Sequence, residues 1–260
     1  MKVVIPAAGR GTRMLPASKS IPKEMLTVTD KPAIDYVVNE CIASGFKEIL
    51  FVLSPDKTCI KDYFENSPEF KDISFEYIYQ NKPLGLGNAV LCAYPYIGNN
   101  PFAVALPDVL LKPLNTSFKR MKDMFHQDSI SKVMVKDVPW DQVSLYGIID
   151  VESKDSFSPD ISSTITNMVE KPKNNEINSN YSAVGRYIFS EDIWGHLCNV
   201  RPDISGEVQL TNAIKELDRS SAYYMLGKSY DCGSKIGYIN TFIDFSISDG
   251  NYKNDIEISI

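Results

Sequence analysis

Histidine is scarce in this chain of 260 residues: His126 and His196 are the only two. No G-x-S-x-G turn occurs either, so the sequence offers none of the machinery of a serine nucleophile with a histidine base. The five cysteines (Cys41, Cys59, Cys92, Cys198, Cys232) are odd in number, scattered and without a C-x-x-C pair. That pattern supports neither a structural zinc site nor a disulfide framework. No apolar run approaches the length of a membrane span, and the N-terminus lacks the apolar stretch of a signal peptide. No membrane association is expected, and the cytoplasm is the expected location. The sequons Asn115-Thr116-Ser117 and Asn180-Tyr181-Ser182 therefore lack a secretory context. Positive charge is in deficit: 27 Lys and Arg against 33 Asp and Glu leave a net −6. A nucleic-acid binder normally shows the reverse, so no nucleic-acid partner is expected. Any polyphosphate ligand must be met by a local positive patch with a metal ion, because the overall field repels it.

What is present is ordinary in bulk and specific in detail. With 43% apolar and 23% charged residues, the chain suits one large α/β domain or a domain with a small appendage. Val3, Val4 and Ile5 read as a buried first strand. Ala7-Ala8-Gly9-Arg10-Gly11-Thr12-Arg13 follows, with Ile21-Pro22-Lys23-Glu24-Met25 close behind. Gly9 and Gly11 can take positive φ and bring backbone N–H groups close to a ligand. With Arg13 and Lys23 beside it, the loop makes an anion cradle, and phosphate is the expected anion. A dinucleotide fold is disfavoured, because Met14 stands where the third glycine belongs and Pro16 and Pro22 interrupt the helix. Asp30 lies at a ribose-binding distance, but no second strand is expected to carry it. A P-loop at Gly227-Lys228-Ser229 fails because its first glycine is Ala222.

Strand and helix patterns alternate through the first half. Strands are expected at 1–7, 48–53, 74–80 and 102–106, with helices at 32–45, 57–64 and 87–94. This βαβαβ rhythm implies a parallel sheet with helices on both faces. Strands at 132–138, 147–151, 165–169 and 181–189 follow with less helix between them. Helices at about 190–198 and 207–219, a strand at 222–227 and a helix at 234–247 complete the pattern. The fold class is therefore α/β: a Rossmann-like central mixed, mostly parallel sheet flanked by helices, with a mixed-sheet half closing over the substrate. One domain is expected over 1–247, with a nucleotide-binding half to about 130, a mixed-sheet half beyond it, and a tail at 248–260. The polar segment 173–180 is expected to be a mobile loop.

Ligands of open α/β sheets bind outside the carboxyl ends of the strands. Four chemically loaded segments fall there: the loop at 8–13, Leu106-Pro107-Asp108, Val169-Glu170-Lys171-Pro172 and Asp231-Cys232-Gly233. Singly, an aspartate forms turns and a Glu-Lys pair is usually solvated. As a set, two aspartates and several cations suit a metal–polyphosphate site.

These segments, with Gly85-Leu86-Gly87-Asn88-Ala89-Val90 and Val184-Gly185-Arg186-Tyr187, resemble the bacterial UTP–glucose-1-phosphate uridylyltransferases of the sugar-nucleotidyltransferase superfamily. The likeness runs from residue 1 to about 247. The G-x-G-T-R loop is shared with thymidylyl and cytidylyl relatives; Ile-Pro-Lys-Glu-Met and Asp-Cys-Gly are more particular to the uridylyl branch. The resemblance implies transfer of a uridylyl group from UTP to glucose 1-phosphate, giving UDP-glucose and pyrophosphate without a covalent intermediate. It implies that Ala7, Ala8, Gly9, Gly11 and Thr12 wrap the triphosphate while Arg13 and Lys23 neutralise it. Gln80 and Gly85 would sit against uracil, and Asp108 and Asp231 would hold Mg²⁺. Glu170 would accept from glucose hydroxyls, Lys171 would contact the attacking phosphate, and Gly147, Gly185 and Glu207 would frame the sugar. A homo-oligomer, dimer or tetramer, is implied too, although the compact 64–80 segment and the short C-terminus depart from the family where subunit contacts arise. The alternatives are a sister specificity, for dTTP or another sugar 1-phosphate, and a catalytically silent homologue. The latter is disfavoured by the intact glycine loop, Lys23, Asp108, Lys171 and Asp231.

Overall fold

The computed structural model describes residues 1–113, 116–173 and 176–248. The loop expected at 173–180 is thus only partly covered, and Asn115 and the tail from 249 lie outside the described residues. In chain order the first half contains β1 (Lys2–Pro6), a ribbon of β2 (Thr27–Val28) and β3 (Lys31–Pro32), α1 (Ala33–Ala43), β4 (Glu48–Leu53), α2 (Thr58–Glu65), β5 (Ser74–Tyr79), α3 (Leu86–Leu91), α4 (Tyr94–Ile97) and β6 (Phe102–Ala105). Next come β7 (Val109–Lys112), α5 (Ser117–Asp128), β8 (Ser131–Asp137), β9 (Gly147–Val151), β10 (Ser162–Glu170) and β11 (Tyr181–Phe189). Last are α6 (Ile193–Asn199), α7 (Leu210–Lys215), β12 (Ser220–Tyr224), β13 (Lys228–Asp231) and α8 (Lys235–Ser248).

Nine strands form one sheet in the order β5-β4-β1-β6-β11-β8-β12-β10-β9. The run β5-β4-β1-β6 is parallel throughout. β11 then lies antiparallel to both β6 and β8, and the remainder is mixed. In β1, β4 and β6 the apolar runs are continuous because these strands are buried on both faces. Val3 and Ile5 join the core cluster that contains Val37 and Cys41 of α1. Val4 points the other way, into the cluster of Val90 and Ala93 beside α3. Each such aliphatic side chain contributes about 1.5–3 kcal/mol on burial. α1 ends where expected, at Gly45 with φ 81, a left-handed stop that glycine takes without strain.

Several elements differ from the sequence reading. α5 was not expected: Phe118, Met121 and Phe125 are its buried stripe, and the charged residues between them dilute the pattern. The single strand expected at 222–227 is two, β12 and β13, separated by Gly227 at φ 88. A Cβ at Gly227 would stand 2.0 Å from the Lys112 carbonyl, so glycine alone permits the crossing there. β13 pairs antiparallel with β7, which places Asp231 opposite Val109. Asp30 lies in the turn of the small β2–β3 ribbon, not at the end of a strand of the main sheet. The helix expected at 207–219 is only α7, because Asp203 folds the preceding segment into a turn. Its Oδ1 accepts from the N–H groups of Ser205 (2.8 Å) and Glu207 (3.1 Å). α3 likewise stops at Leu91, and a separate turn, α4, covers Tyr94–Ile97.

Candidate active site

Because β1, β4 and β6 run parallel, the loops after them meet at one edge of the sheet. There a cleft of about 460 Å³ is lined by Ala8, Gly9, Arg10, Gly11, Thr12, Arg13, Lys23, Gln80, Gly85, Leu106, Asp108 and Glu207, among others. A hollow of about 520 Å³ lies at the opposite edge, beside Met1, Lys2 and Glu48, away from the strands' carboxyl ends. The first lies outside the carboxyl ends of the parallel strands, where open α/β sheets bind their ligands.

The glycine loop achieves its shape unequally. Gly11 takes the left-handed conformation, φ 63, and caps the short 3₁₀ turn Thr12–Met14. Gly9 keeps negative φ, and a Cβ there would meet nothing within 4 Å; its small size leaves room for a ligand. Ala7 is fully buried and does not line the cleft. Its carbonyl and that of Gly9 are held from behind by Lys57, whose ammonium donates to them at 2.7 and 2.6 Å and to Glu24 at 2.8 Å.

Asp108 and Asp231, far apart in sequence, are brought together by the β7–β13 ribbon. The Cys232 N–H donates to the Asp108 carbonyl at 2.7 Å, and the Gly233 N–H donates to Asp231 Oδ1 at 2.8 Å. A Cβ placed on Gly233 would lie 2.7 Å from Asp108 Oδ2, 2.9 Å from Asp231 Oδ1 and 2.9 Å from an Arg13 nitrogen. Two carboxylates and a guanidinium thus converge on one small hollow. Lys23 forms an ion pair with Asp108. Burial alone would raise the Asp108 carboxyl, but Lys23 and then Arg13 hold it below the ordinary aspartate value. The same pairing raises Lys23 against the opposing effect of its own burial.

The other expected residues divide into a second group and a supporting set. Glu170 and Lys171 line an adjoining cleft of about 400 Å³ with Asp203, Gln209 and Glu207. Glu207 borders both clefts. Burial raises the Glu170 carboxyl, with Lys171 opposing; their charged atoms are 3.8 Å apart. Lys171 adopts φ 46, a sparsely populated conformation for a side-chain-bearing residue. Gly147 sits opposite Glu170 in the β9–β10 register, and a Cβ on it would reach within 3.1 Å of Glu170 Oε2. Gly85, at φ 92, lets its loop press against Val208, whose carbonyl would be 2.8 Å from a Cβ. Gly185 lines neither cleft; its φ of 75 and missing side chain make room for Leu106. Gln80 is buried, and its amide nitrogen is engaged by Asn88 at 2.7 Å and the Gly85 carbonyl at 3.2 Å.

Sequence reasoning assigned no role to Lys57, Glu24, Glu40 or Tyr146, and Arg186 entered only as part of a motif. Arg186 is fully buried and makes a two-pronged pair with Glu40 of α1, at 3.0 and 2.7 Å. It also donates to the carbonyls of Leu106 (3.1 Å) and Val109 (2.7 Å), clamping the turn that carries Asp108. Tyr146 accepts the Lys171 N–H at its carbonyl, 2.9 Å away, and burial raises its hydroxyl, with Asp231 adding to the rise and Arg13 opposing it. Glu24 and Glu40 carry the one available signal: acids amid apolar neighbours at helical or turn positions, where a buried carboxylate requires a cation.

Comparison with known proteins identifies the family of the chain. Residues 2–246 match the family described as nucleotidyl transferase. A curated protein of Haemophilus ducreyi named UTP–glucose-1-phosphate uridylyltransferase is 41% identical, over 95% of this chain and 93% of its own. The structure superimposes on a UTP-bound UGPase from Acinetobacter baumannii with a TM-score of 0.89 at 37% identity, covering 98% of this chain and 96% of that one. A UDP-glucose pyrophosphorylase complexed with UDP-glucose gives a TM-score of 0.86 at 36% identity, over 94% and 97%.

Proposed function

This chain belongs to the nucleotidyl transferase family, and from that premise we propose that it transfers the uridylyl group of UTP to glucose 1-phosphate, giving UDP-glucose and pyrophosphate. One observation carries the reading: Asp108, Asp231 and Arg13 close on the space in front of Gly233, at the mouth of the glycine-loop cleft. An enzyme of this kind must bring two anions together, and such a hollow concentrates the groups that allow it.

The residues divide the task. The N–H groups of the 8–12 loop receive the triphosphate, and Arg13 and Lys23 offset its charge. Gln80 and Gly85 shape the end where uracil sits. Glu170, Glu207 and Gly147 frame the sugar, with Gly185 acting from behind through Leu106. Lys171 steers the phosphate of glucose 1-phosphate toward the α-phosphorus, and its oxygen is nucleophilic enough to need no base. Holding the two substrates in line is worth roughly 7–11 kcal/mol. Asp108 and Asp231 suit Mg²⁺: they offer hard carboxylate oxygens beside a hollow that a single Cβ would fill. Among the described residues no third metal-binding side chain joins them, so substrate oxygens would complete the shell. When bound, the ion would supply Lewis-acid stabilisation of the phosphate charge, worth several kcal/mol.

In this reading residues 1 to about 130 are the nucleotide half of one domain and 131–247 the sugar half, joined across β11. No described helix is long and apolar enough to cross a membrane, which fits a cytoplasmic enzyme. Exposed Ile236, Ile239, Ile243 and Ile247 along α8 support a homo-oligomer.

The test is a pyrophosphate-release screen of the nucleoside triphosphates against several sugar 1-phosphates. UTP with glucose 1-phosphate should give the highest kcat/KM; a preference for dTTP, or no turnover with any pair, overturns the assignment. Lys171→Ala should cost turnover far more than UTP binding, and an equal loss of both would move Lys171 to the nucleotide side.

A further inference from the structure

Lys57 stands on the turn after β4, just before α2, and only 7% of it is exposed. Its ammonium has three hydrogens and three acceptors: the carbonyls of Ala7 and Gly9 and a carboxylate oxygen of Glu24. Glu24 is 1% exposed and sits in the 3₁₀ turn that also contains Lys23. One buried ammonium therefore ties together the glycine loop, the turn that presents Lys23 and the β4–α2 connection. A trans peptide unit points its C=O and N–H in opposite directions. With the carbonyls of Ala7 and Gly9 drawn back onto Lys57, the N–H groups of Ala8 and Arg10 are turned away from it. Neither N–H has a hydrogen-bond partner among the described residues, and both residues line the cleft.

We propose that Lys57 is a positioning residue for the phosphates of UTP: it touches no substrate, but fixes the peptide planes at 7–8 and 9–10 so that their N–H groups face the triphosphate. This deepens the function proposed above and rests on it. Glu24 neutralises the Lys57 charge locally, so the contribution of Lys57 is orientation rather than added field. The same tie sets the height of the Lys23 turn against the loop, so loop and lysine engage the triphosphate as one unit.

The test is calorimetric binding of UTP and of UMP to the wild type, Lys57→Met and Glu24→Gln, with thermal unfolding of each. UMP shares the base and ribose but lacks the β- and γ-phosphates. Lys57→Met should weaken UTP by about ten-fold or more, the worth of one well-placed charge-assisted hydrogen bond, and UMP by less than about three-fold. Glu24→Gln, which still offers Lys57 an acceptor, should hold UTP within about three-fold of the wild type. Equal losses of UTP and UMP, or a UTP affinity that simply follows thermal stability, would make Lys57 a general structural residue and overturn the inference. So would a loss in Glu24→Gln as large as that in Lys57→Met. If Lys57→Met does not fold, Lys57→Gln, which keeps a donor toward one carbonyl, should show the same split between UTP and UMP. Wild-type protein that binds no UTP would refute the functional reading itself, whereas undiminished binding by Lys57→Met refutes only the role of Lys57.

Discussion

Gly233→Ala adds one methyl group at the point where Asp108, Asp231 and Arg13 converge. The new carbon would stand 2.7 Å from Asp108 Oδ2 and 2.9 Å from both Asp231 Oδ1 and an Arg13 nitrogen, where ordinary contact begins at 3.4 Å. Each of these side-chain ends must therefore retreat by about half an ångström or more, out of the positions from which they would hold an ion. Magnesium demands near-ideal octahedral geometry at about 2.0–2.1 Å, and a misplacement of about 1 Å near reacting groups costs on the order of a hundred-fold. The expected loss in kcat/KM is thus about 10- to 100-fold, or about 1.4–2.7 kcal/mol of transition-state stabilisation. Gly233 does not use a left-handed conformation, so alanine strains no backbone dihedral and the variant should fold. The assay is pyrophosphate release over a magnesium titration, with urea unfolding run alongside. The variant should need more magnesium for half-maximal rate while its unfolding midpoint moves little. A wild-type rate with an unchanged magnesium curve would show that the hollow before Gly233 is not where the ion and phosphates meet.

Glu40→Ala leaves the Arg186 charge buried without its partner, at an expected cost of about 3–5 kcal/mol in urea unfolding. Pairing Glu40→Met with Arg186→Met should recover much of that stability but not turnover, because the carbonyls of Leu106 and Val109 lose their donor. Magnesium alone should barely shift the melting temperature, since only two carboxylates await it among the described residues. UTP with magnesium at about a hundred times its dissociation constant should add about 2.7 kcal/mol. The Asp108 carboxyl, buried but held below its ordinary value by Lys23, contributes stability that is complete above the unfolded aspartate value and fades as pH falls through the folded one. The difference in unfolding free energy between the wild type and Asp108→Asn should accordingly be equal at pH 8 and pH 6 and narrow below about pH 4; a gap that widens in acid would refute the pairing.

Local features explain what could be read without coordinates. Val3, Val4 and Ile5 announce a strand buried on both faces, and Gly45 announces the end of α1; both depend only on neighbours in sequence. The loop at 8–13 is legible as a glycine-bearing turn after β1 for the same reason, and the structure sets Arg13 and Lys23 beside it on one cleft. α5 was overlooked because Phe118, Met121 and Phe125 are spaced among charges, so its apolar stripe becomes plain only when packed against the sheet. The β7–β13 ribbon was missed because each partner is short and gains strand character only from pairing with the other.

Composition and local pattern by themselves determined the α/β class, the alternation of the main strands and helices from β1 to β6 and the identity of the charged residues at strand ends. The tertiary structure alone decided which of those residues meet. It set Asp231 beside Asp108 through a ribbon joining segments more than a hundred residues apart, turned Gly185 away from the clefts, and buried Lys57 and Arg186 behind the loops they hold. The division is physical: hydrophobic periodicity and turn chemistry act over a few residues. The cost of leaving a buried charge or carbonyl unpaired is settled only by whatever the folded chain brings within hydrogen-bonding reach.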